Sequence, residues 1–295
     1  VEGGVYTEAL VGSLSRLNPL LDDNNQPDKD VDRLIFSGLV KFDSRGMPEP
    51  DLAESIRSSQ DGVIYNVTLK EDLLWHDGEA VTTADIAFTI DLFKEGEGFI
   101  SADLVSFWNE IKLVIIDDLN MQFVLPESFS PFQDYLAFGV LPEHLLGGLS
   151  IDQIAESDFN LQPVGSGPFQ FSELVVEDDT ITGLKLTAFE DYYGEGPFLK
   201  EINFRYYSDT ASAFQAYLDQ YVQGISQISD SQLPMVLSDE NLSLYTGRLP
   251  EMSMMFFNLN DNGVSFFQDK NIRRALLMGL NRQRLVNEIF NGQAI

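Results

Sequence analysis

The chain has 295 residues, of which 44% are hydrophobic, and it carries a formal net charge of −29. This length and this apolar content suffice for about two packed domains and argue against a disordered chain. Because 18 residues are basic and 47 are acidic, the surface would repel a phosphate backbone, which argues against nucleic acid as a partner. The absence of cysteine excludes disulfides, thiolate metal sites and cysteine nucleophiles.

The excess of acidic residues has three interpretations that composition alone leaves open. It keeps a secreted protein in solution, it attracts cationic ligands, or it reflects a halophilic source. No apolar run reaches the roughly eighteen residues of a membrane span, and the chain opens at Val1 without the apolar segment of a signal peptide. We therefore expect a soluble, processed or trimmed chain.

In the first half of the chain, several segments have the residue types of strands, and those over residues 38–43 and 63–69 also alternate apolar with polar side chains. Strands are predicted over residues 5–10, 38–43, 63–69, 111–116 and 121–125, the last two as a hairpin. A polar loop over residues 22–29 is expected to precede a helix over 30–36, and glycine and proline predict a second loop between residues 43 and 63. Over residues 81–93, Thr82 and Asp85 have the spacing of a capping box, which predicts the start of a helix.

The second half continues the mixture of strands and helices. Strands are predicted over residues 169–176, 183–189 and 254–259, and helices over 211–221 and 272–290, the last one broken near Asn281. The apolar stripe of this last helix requires a core to pack against. The order of elements predicts a mixed α/β fold.

Three motifs invite a chemical interpretation but lack the residues it needs. His76 and His144 have neither metal nor triad spacing, and the segment HDG at residues 76–78 is a turn former. The acidic and amide residues between 22 and 32 do not fit a calcium loop, because Arg33 and Leu39 stand where glycine and glutamate are required. The segment GSGP at residues 165–168 lacks the lysine of a phosphate loop. No metal, no cofactor and no catalytic residue is predicted.

Six short segments occur in an order that is typical of one protein family. They are LNP at residues 17–19 with LIFSGLV at 34–40, PDLAES at 50–55, LWHDGEAVTTADIAF at 74–88, GSGPF at 165–169, FNLN at 257–260, and FQDKNIRRAL at 267–276 followed by Asn281 and Arg282. Together they resemble the peptide/nickel-binding family of extracellular solute-binding proteins (family 5, which includes dipeptide- and oligopeptide-binding proteins). The resemblance covers nearly the whole chain.

Two departures from the family pattern stand out. The family usually carries a Gly-Glu-hydrophobic-Asp turn after the helix predicted over residues 211–221, whereas this chain reads QYVQ at residues 220–223, which puts the geometry of that turn in doubt. Members also continue beyond this length, through a second lobe and a return to the first. The residues present are therefore expected to line one side of the ligand cleft and to bind a ligand weakly or not at all.

The resemblance implies an α/β fold of the type II periplasmic-binding-protein kind, with an inserted domain in the first lobe and a truncated second lobe. Residues 1–38 and 163–250 would form the ligand-facing first lobe. Residues 39–162 would form the inserted domain, and residues 251–295 would supply the hinge strand and the start of the second lobe.

The function that the resemblance implies is capture, not catalysis. Such a protein binds a peptide or another small solute outside the membrane, closes around a hinge, and delivers the solute to the permease subunits of an ABC importer. It would be a monomer in the cell envelope, either periplasmic or lipid-anchored at the outer face of the membrane. Two alternatives remain: a secreted hydrolase that uses a pair of carboxylates, and an envelope protein that has kept the fold without transport.

The resemblance also nominates the ligand-binding residues of one cleft wall. They are Leu21, Asp22, Asp23 and Asn24 in the loop after the first strand, and Met255, Phe257 and Asn258 in the hinge strand. The acidic loop would meet an amine or backbone N–H groups of the ligand by charge-assisted hydrogen bonds. The alternatives are a solvated loop and ordinary strand packing.

Overall fold

The computed structural model describes residues 3–247, 254–260, 262–289 and 292. The chain divides into two compact units, Val1–Gln227 and Ile228–Ile295. The strands of the first unit are β1 (Val5–Val11), β2 (Val40–Phe42), β3 (Pro48–Pro50), β4 (Ala53–Ser58), β5 (Ile64–Leu69), β6 (Lys112–Ile115), β7 (Asn120–Val124), β8 (Phe169–Glu177), β9 (Thr180–Ala188), β10 (Glu201–Tyr207) and β11 (Gly224–Ile225). Its α-helices are α1 (Gln26–Ile35), α2 (Thr83–Glu95), α3 (Ala102–Glu110), α4 (Glu143–Leu146), α5 (Ile151–Ala155) and α6 (Thr210–Leu218), with 3-10 helices at Ser130–Leu136 and Asp158–Leu161.

The first sheet has the strand order β11-β1-β10-β9-β8. β1 is parallel to both β10 and β11, whereas β9 runs antiparallel to β10 and β8 antiparallel to β9. Because side chains alternate across a strand, Leu10 and Phe204 belong to the main core together with Val31 and Ile35 of α1. Ala9, the neighbour of Leu10 in β1, belongs instead to a small second cluster with residues of α6. The first sheet thus has α1 on one face and α6 on the other.

The second sheet has the strand order β4-β5-β7-β6, and β2 pairs with β3 in a small ladder beside it. Its core is rich in aromatic rings: the Trp108 ring lies 6.3 Å from Phe123, and the Tyr65 ring lies 4.7 Å from Phe132. Trp75 and Trp108 are both fully buried, as expected of core packing. The hairpin predicted over residues 111–125 is confirmed as β6 and β7.

The best-defined local prediction, the capping box at the start of α2, is confirmed. The Thr82 hydroxyl accepts the Ala84 N–H at 3.2 Å, and the Asp85 carboxylate accepts the Thr82 N–H at 2.8 Å. The other Asp85 oxygen accepts the Glu143 N–H at 2.9 Å, so the same carboxylate ties α4 to α2. Orphan N–H groups at two helix starts are therefore satisfied by one side chain.

The loop predicted between residues 43 and 63 is wrong, because the segment contains β3 and β4. A register shift between Ala53 and Ser55 breaks the alternation that would have revealed β4. The helix α1 begins at Gln26, four residues before the predicted start at residue 30. Pro27 occupies the first turn of α1, where a missing N–H costs nothing, so the proline that suggested a loop marks a helix start.

The turn that departs from the family pattern keeps a compact geometry. Gln220 has a φ of 63°, the left-handed conformation that glycine adopts most easily. Val222 is buried, and Gln223 bonds Thr7 of β1 twice: its backbone N–H donates to the Thr7 carbonyl and its side-chain oxygen accepts the Thr7 N–H, both at 2.8 Å. An amide oxygen thus accepts the hydrogen bond where the family usually has an acid.

The second unit contains α7 (Leu233–Ser238), a 3-10 helix at Asn262–Gln268, α8 (Lys270–Gly279) and α9 (Arg282–Glu288). The break predicted near Asn281 is confirmed, because the Asn281 side chain caps α9 by accepting the Arg284 N–H at 2.9 Å. Phe290, the last residue of the predicted helix, lies outside the described residues, as does the predicted domain boundary at 250–251.

The strand predicted over residues 254–259 is wrong. A strand is stabilised by hydrogen bonds to a neighbouring strand, and no strand among the described residues pairs with this segment. The methionine and phenylalanine residues of this segment are typical of a strand, but none of the described strands pairs with it.

Candidate functional site

Three neighbouring strands of the first sheet run parallel and end at the same edge. β1 ends at Val11, directly beside Tyr207 at the end of β10, and Ile225 of β11 lies opposite Ala9. In open α/β sheets, ligands bind in the crevice beyond the carboxyl ends of the parallel strands. The β1–α1 loop (residues 12–25), which contains the predicted ligand residues 21–24, leaves the sheet at this edge.

One buried carboxylate, Asp28 in the first turn of α1, holds the start of the β1–α1 loop. It accepts the Arg16 N–H at 2.8 Å, the Ser15 N–H at 3.1 Å and the Asn25 side-chain amide at 2.7 Å. Burial raises the pKa of Asp28, and these donors partly offset the rise. Since each bond to a charged group is stronger than a neutral one, Asp28 fixes the path of the loop.

A second anchor lies at Asn18 in the LNP motif. The fully buried Asn18 side chain accepts the Leu20 N–H and donates to the Asn160 side chain, both at 3.1 Å. The Asn160 amide in turn donates to the Ile154 carbonyl at 2.7 Å. The LNP motif therefore positions the loop through the bonds of the Asn18 side chain.

The four predicted ligand residues of this loop lie in the sequence between the Asn18 anchor and the start of α1. Leu21 and Asp22 are half-buried, whereas Asp23 and Asn24 are exposed. Asp23 forms an ion pair with Lys29 at 3.3 Å. Burial raises the pKa of Asp22 to about 6, with Asp23 and Asp28 adding to the rise and Lys29 opposing it. Asp22 therefore changes charge just below neutral pH.

Beneath the loop lies a carboxyl group that lacks a partner. Asp32, one helical turn after Asp28 on the same face of α1, is 2% exposed, and neither of its oxygens has a hydrogen-bond partner among the described residues. Burial raises the pKa of Asp32 well above the usual range, the nearby carboxyl groups of Asp22 and Asp28 raise it further, and the nearby Asn18 backbone N–H partly offsets the rise. Burial therefore favours the protonated form of Asp32 in the folded chain.

Tyr206 of β10 belongs to the same buried polar group. Its hydroxyl is also buried without a partner among the described residues, and burial, together with Asp28 and Asp32, raises its pKa. Sequence reasoning considered Asp28 and Asp32 for calcium only and did not consider Tyr206. The recognisable signal was the spacing of residues 28, 31, 32 and 35 on one face of a helix, which the misplaced start of α1 concealed.

The second set of predicted ligand residues lies in the other unit. Met255 and Asn258 are exposed and Phe257 is half-buried, its ring 4.9 Å from that of Phe267. The Asn258 side-chain oxygen accepts the Asn260 N–H at 3.0 Å, an ordinary turn contact. The assignment of Met255, Phe257 and Asn258 to a ligand site stays a prediction.

The two histidines have structural partners. Both ring nitrogens of His76 bond backbone groups of the GSGP segment, and the His144 Nε2 lies 2.8 Å from the Asp77 carboxylate. Within the described ranges, no group of three or more histidine, aspartate or glutamate side chains is arranged to hold a metal ion. In the same ranges, no helix has both the length and the apolar content that crossing a membrane requires.

Residues 47–295 match the sequence family described as bacterial extracellular solute-binding proteins, family 5 Middle. The chain belongs to this family. The family predicted from the six motifs is thus confirmed. So is the α/β architecture of the type II periplasmic-binding-protein kind, which the similar solved structures share.

Similar proteins place this family 5 chain among binding proteins. It is 27% identical to the oligopeptide-binding protein AppA of Bacillus subtilis over 99% of its own length and 52% of AppA. The AppA structure, solved with a nonapeptide, superposes with a TM-score of 0.73 at 25% identity over 99% of this chain and 56% of the AppA chain. NikZ of Campylobacter jejuni, solved with Ni(L-His), gives the same TM-score at 26% identity and the same coverage of both chains.

A third relative, the glutathione-binding protein GsiB of Salmonella paratyphi A, is 24% identical over 97% of this chain and 54% of GsiB. The chain thus spans about half the length of these relatives. Their names and titles specify different ligands, a peptide, a nickel complex and glutathione, so membership in the family leaves the solute open.

Proposed function

We propose that this chain is the capture component of an ABC importer, which binds a peptide or a related small solute outside the membrane and delivers it to permease subunits. The observation that carries the proposal is the β1–α1 loop. It is fixed by Asp28 and Asn18 at the carboxyl edge of the parallel strands, and it presents Leu21 to Asn24 there. The names of the relatives support the same role.

The chemistry of this edge favours a ligand with a cationic group or exposed N–H donors. Asp22 is ionised above about pH 6, and the neighbouring Asp23 and Asn24 add oxygen acceptors at the surface. Carboxylates bind ammonium and amide N–H groups by charge-assisted hydrogen bonds. We propose Leu21 as an apolar contact beside these acceptors. Met255, Phe257 and Asn258 are retained as proposed ligand contacts on the basis of the family resemblance alone.

We also retain the predicted division of the chain. Residues 1–38 and 163–250 would form the ligand-facing lobe, residues 39–162 the inserted domain, and residues 251–295 the start of the second lobe. What supports this division is the origin of the strands: those of the first sheet come from residues 5–11 and 169–225, and those of the second from residues 53–124. Hydrogen exchange in which the amides of the first sheet and those of the second sheet open as two separate groups would favour it, whereas a single common opening of β5 and β9 would contradict it.

The remaining parts of the proposal concern the cell. The protein would act as a monomer without a cofactor in the cell envelope, either periplasmic or lipid-anchored at the outer face of the membrane. Deletion of its gene is expected to abolish uptake of the solute that binds, and protease added to spheroplasts is expected to degrade it. Unchanged uptake would contradict delivery to a permease, and full protection from protease would contradict this location.

The binding site is tested by NMR titration of the 15N-labelled chain with three solutes, a nonapeptide, glutathione and Ni(L-His), each at millimolar concentration. We expect at least one solute to shift the amide signals of residues 21–24. The substitution Asp22→Asn should weaken that response about tenfold, the loss of one charge-assisted bond. The matched control is Asp134→Asn, which also removes one carboxyl group, but at an exposed position in the proposed inserted domain.

The outcomes of this titration separate clearly. Shifts at residues 21–24 that weaken in Asp22→Asn and persist in Asp134→Asn support the site. No shift with any of the three solutes, or shifts confined to the second sheet, would refute it.

A further inference from the structure

The imidazole of His76 joins two segments that are far apart in the sequence. Its Nδ1 accepts the Gly165 N–H at 3.1 Å, and its Nε2 lies 3.0 Å from the Gly167 carbonyl oxygen. The His76 N–H donates to the Gly165 carbonyl at 2.8 Å, and the ring packs edge-on against Phe189 at 4.8 Å. Three hydrogen bonds therefore attach the LWHDG motif to the GSGP motif.

These bonds determine the protonation state of the ring. The Gly165 N–H can only donate, so Nδ1 must be unprotonated, and the Gly167 carbonyl can only accept, so Nε2 must carry the hydrogen. Protonation of Nδ1 would place two N–H groups against each other. Burial lowers the pKa of His76 to about 4, so the neutral ring persists at physiological pH.

The GSGP segment lies directly against the end of α1. The Gly167 N–H donates to the Ile35 carbonyl at 2.7 Å. A Cβ added at Gly165 would lie 2.0 Å from the Ile35 carbonyl oxygen, and one added at Gly167 would lie 2.5 Å from the Leu34 carbonyl oxygen. The two glycines are therefore required by the close approach of the backbones, and the position of this segment sets the position of the last turn of α1.

The other end of α1 holds the β1–α1 loop. Asp28 in its first turn accepts the N–H groups of Ser15 and Arg16. A continuous series of contacts thus runs from His76 through Gly167 and Ile35, along a helix of ten residues, to the loop at the sheet edge. An α-helix of this length is a stiff element of about 15 Å.

A second contact secures the same joint. The Tyr193 hydroxyl lies 2.9 Å from the Ser37 hydroxyl and 2.8 Å from the Asp51 carboxylate, and the Ser37 hydroxyl donates to the Ser166 carbonyl at 3.3 Å. Segments that carried the family resemblance, at residues 34–40, 50–55, 74–88 and 165–169, therefore meet here. Their shared role in this chain is to form a joint between the two sheets.

We infer that His76 is a positioning residue: it holds the GSGP segment against the end of α1 and thereby fixes the β1–α1 loop at the carboxyl edge of the first sheet. The inference concerns the folded chain alone and is tested without any solute. Its consequence, that His76 preorganises the capture site, rests on the proposed function.

The first test uses the unsubstituted protein. The 15N signals of the His76 ring are expected to show a protonated Nε2 and an unprotonated Nδ1, and acidification through about pH 4 should move the Gly165 amide signal together with them. A ring protonated on Nδ1 at neutral pH would overturn the inference. So would a Gly165 amide signal that stays unchanged while the His76 ring titrates.

The second test compares amide hydrogen exchange in His76→Ala, His76→Asn and His76→Gln. The control is Val67→Ala, which creates a cavity in the buried β5 strand, with urea added until the global stabilities match. In His76→Ala, the amides of Gly165, Gly167, Ser15 and Arg16 should exchange about tenfold faster than in the control, which corresponds to one lost hydrogen bond.

The two amide variants separate the two ring nitrogens. Asparagine places an acceptor where Nδ1 stands, so His76→Asn should restore protection at Gly165, whereas His76→Gln reaches only the Nε2 position and should not. If Ser15 and Arg16 exchange in His76→Ala as they do in the control, His76 does not position the loop and the inference fails. Equal protection of Gly165 in the asparagine and glutamine variants would contradict it as well.

Discussion

Two helices of equal length, α1 in the first unit and α8 in the second, have ten residues each and a comparable apolar stripe. α1 buries five of its residues, Ile35 completely, against the first sheet and the segments around it. Within the described part of the chain, α8 buries none, and Leu276 and Leu277 are 49% and 55% exposed. The same amphipathic pattern therefore predicts a helix in both places, but stabilisation depends on the surface that covers it.

The largest effect is expected where α1 meets the GSGP segment. Gly165→Ala would push a methyl group into the Ile35 carbonyl, which the packed backbones cannot avoid, so we expect a loss of more than about 4 kcal/mol in the free energy of unfolding. Gly196→Ala is the matched control, since nothing lies within 4 Å of the added Cβ there. Urea denaturation of both variants checks this. A similarly small loss in the free energy of unfolding for both variants would show that the backbone at the end of α1 can shift to accommodate the methyl group.

The comparison of the two helices is tested directly by truncating one apolar residue in each. Ile35→Ala leaves a cavity in the main core and should cost about 2–5 kcal/mol. Leu276→Ala removes a side chain that is half-exposed and should cost less than about 1 kcal/mol in the 295-residue chain. Both values come from chemical denaturation followed by signals from each unit. Equal losses would contradict the contrast drawn between α1 and α8.

The buried acid on α1 should make stability depend on pH. In the folded chain the pKa of Asp32 is raised, whereas unfolding exposes an ordinary carboxyl, so the unfolded chain releases the proton first as the pH rises. The contribution of Asp32 to the free energy of unfolding is therefore complete below about pH 4. Above that pH it falls by about 1.4 kcal/mol per pH unit, until Asp32 ionises in the folded chain as well.

Asp32→Asn removes this dependence. The stability of the variant relative to the natural sequence should rise between pH 4 and pH 7, measured by urea denaturation at each unit of pH. Asp134→Asn controls for the loss of a surface charge. A difference between Asp32→Asn and the natural sequence that stays constant with pH would contradict a neutral buried acid.

The smallest effect is expected at the turn after α6. Gln220 has a left-handed backbone conformation, which costs a residue with a Cβ about 1 kcal/mol. Gln220→Gly should therefore raise the free energy of unfolding by at most about 1 kcal/mol. The greater entropy of glycine in the unfolded chain offsets part of this gain. Thermal unfolding measures it. A destabilised variant would indicate that the Gln220 side chain contributes a contact that outweighs the strain.

Much of the local structure followed from the sequence because its causes are local. The capping box of Thr82 and Asp85, the alternation in β5, and the helix break near Asn281 all depend on residues a few positions apart. α1 and β4 were misjudged where one residue disturbed the pattern: Pro27 in a first turn, and a bulge after Ala53.

The arrangement at the sheet edge could not be predicted in the same way. The loop residues 21–24 were chosen from the family resemblance, but the groups that fix the loop depend on contacts between distant segments. The contact between His76 and Gly165 spans 89 positions, and the one between Asn18 and Asn160 spans 142. No residue pattern within one of these segments indicates which distant segment it contacts. The family motifs did, however, include His76 and Gly165, the two residues that meet in the joint.

We propose that this chain supplies one wall of a solute site, and it spans about half the length of its relatives. Calorimetric titration of the 295-residue chain with the nonapeptide, glutathione and Ni(L-His) tests that claim most directly. Because a solute that bridges two walls gains most of its affinity from closure, we expect dissociation constants weaker than about 10 μM for all three. Tighter binding of any of them would show that these residues form a complete site.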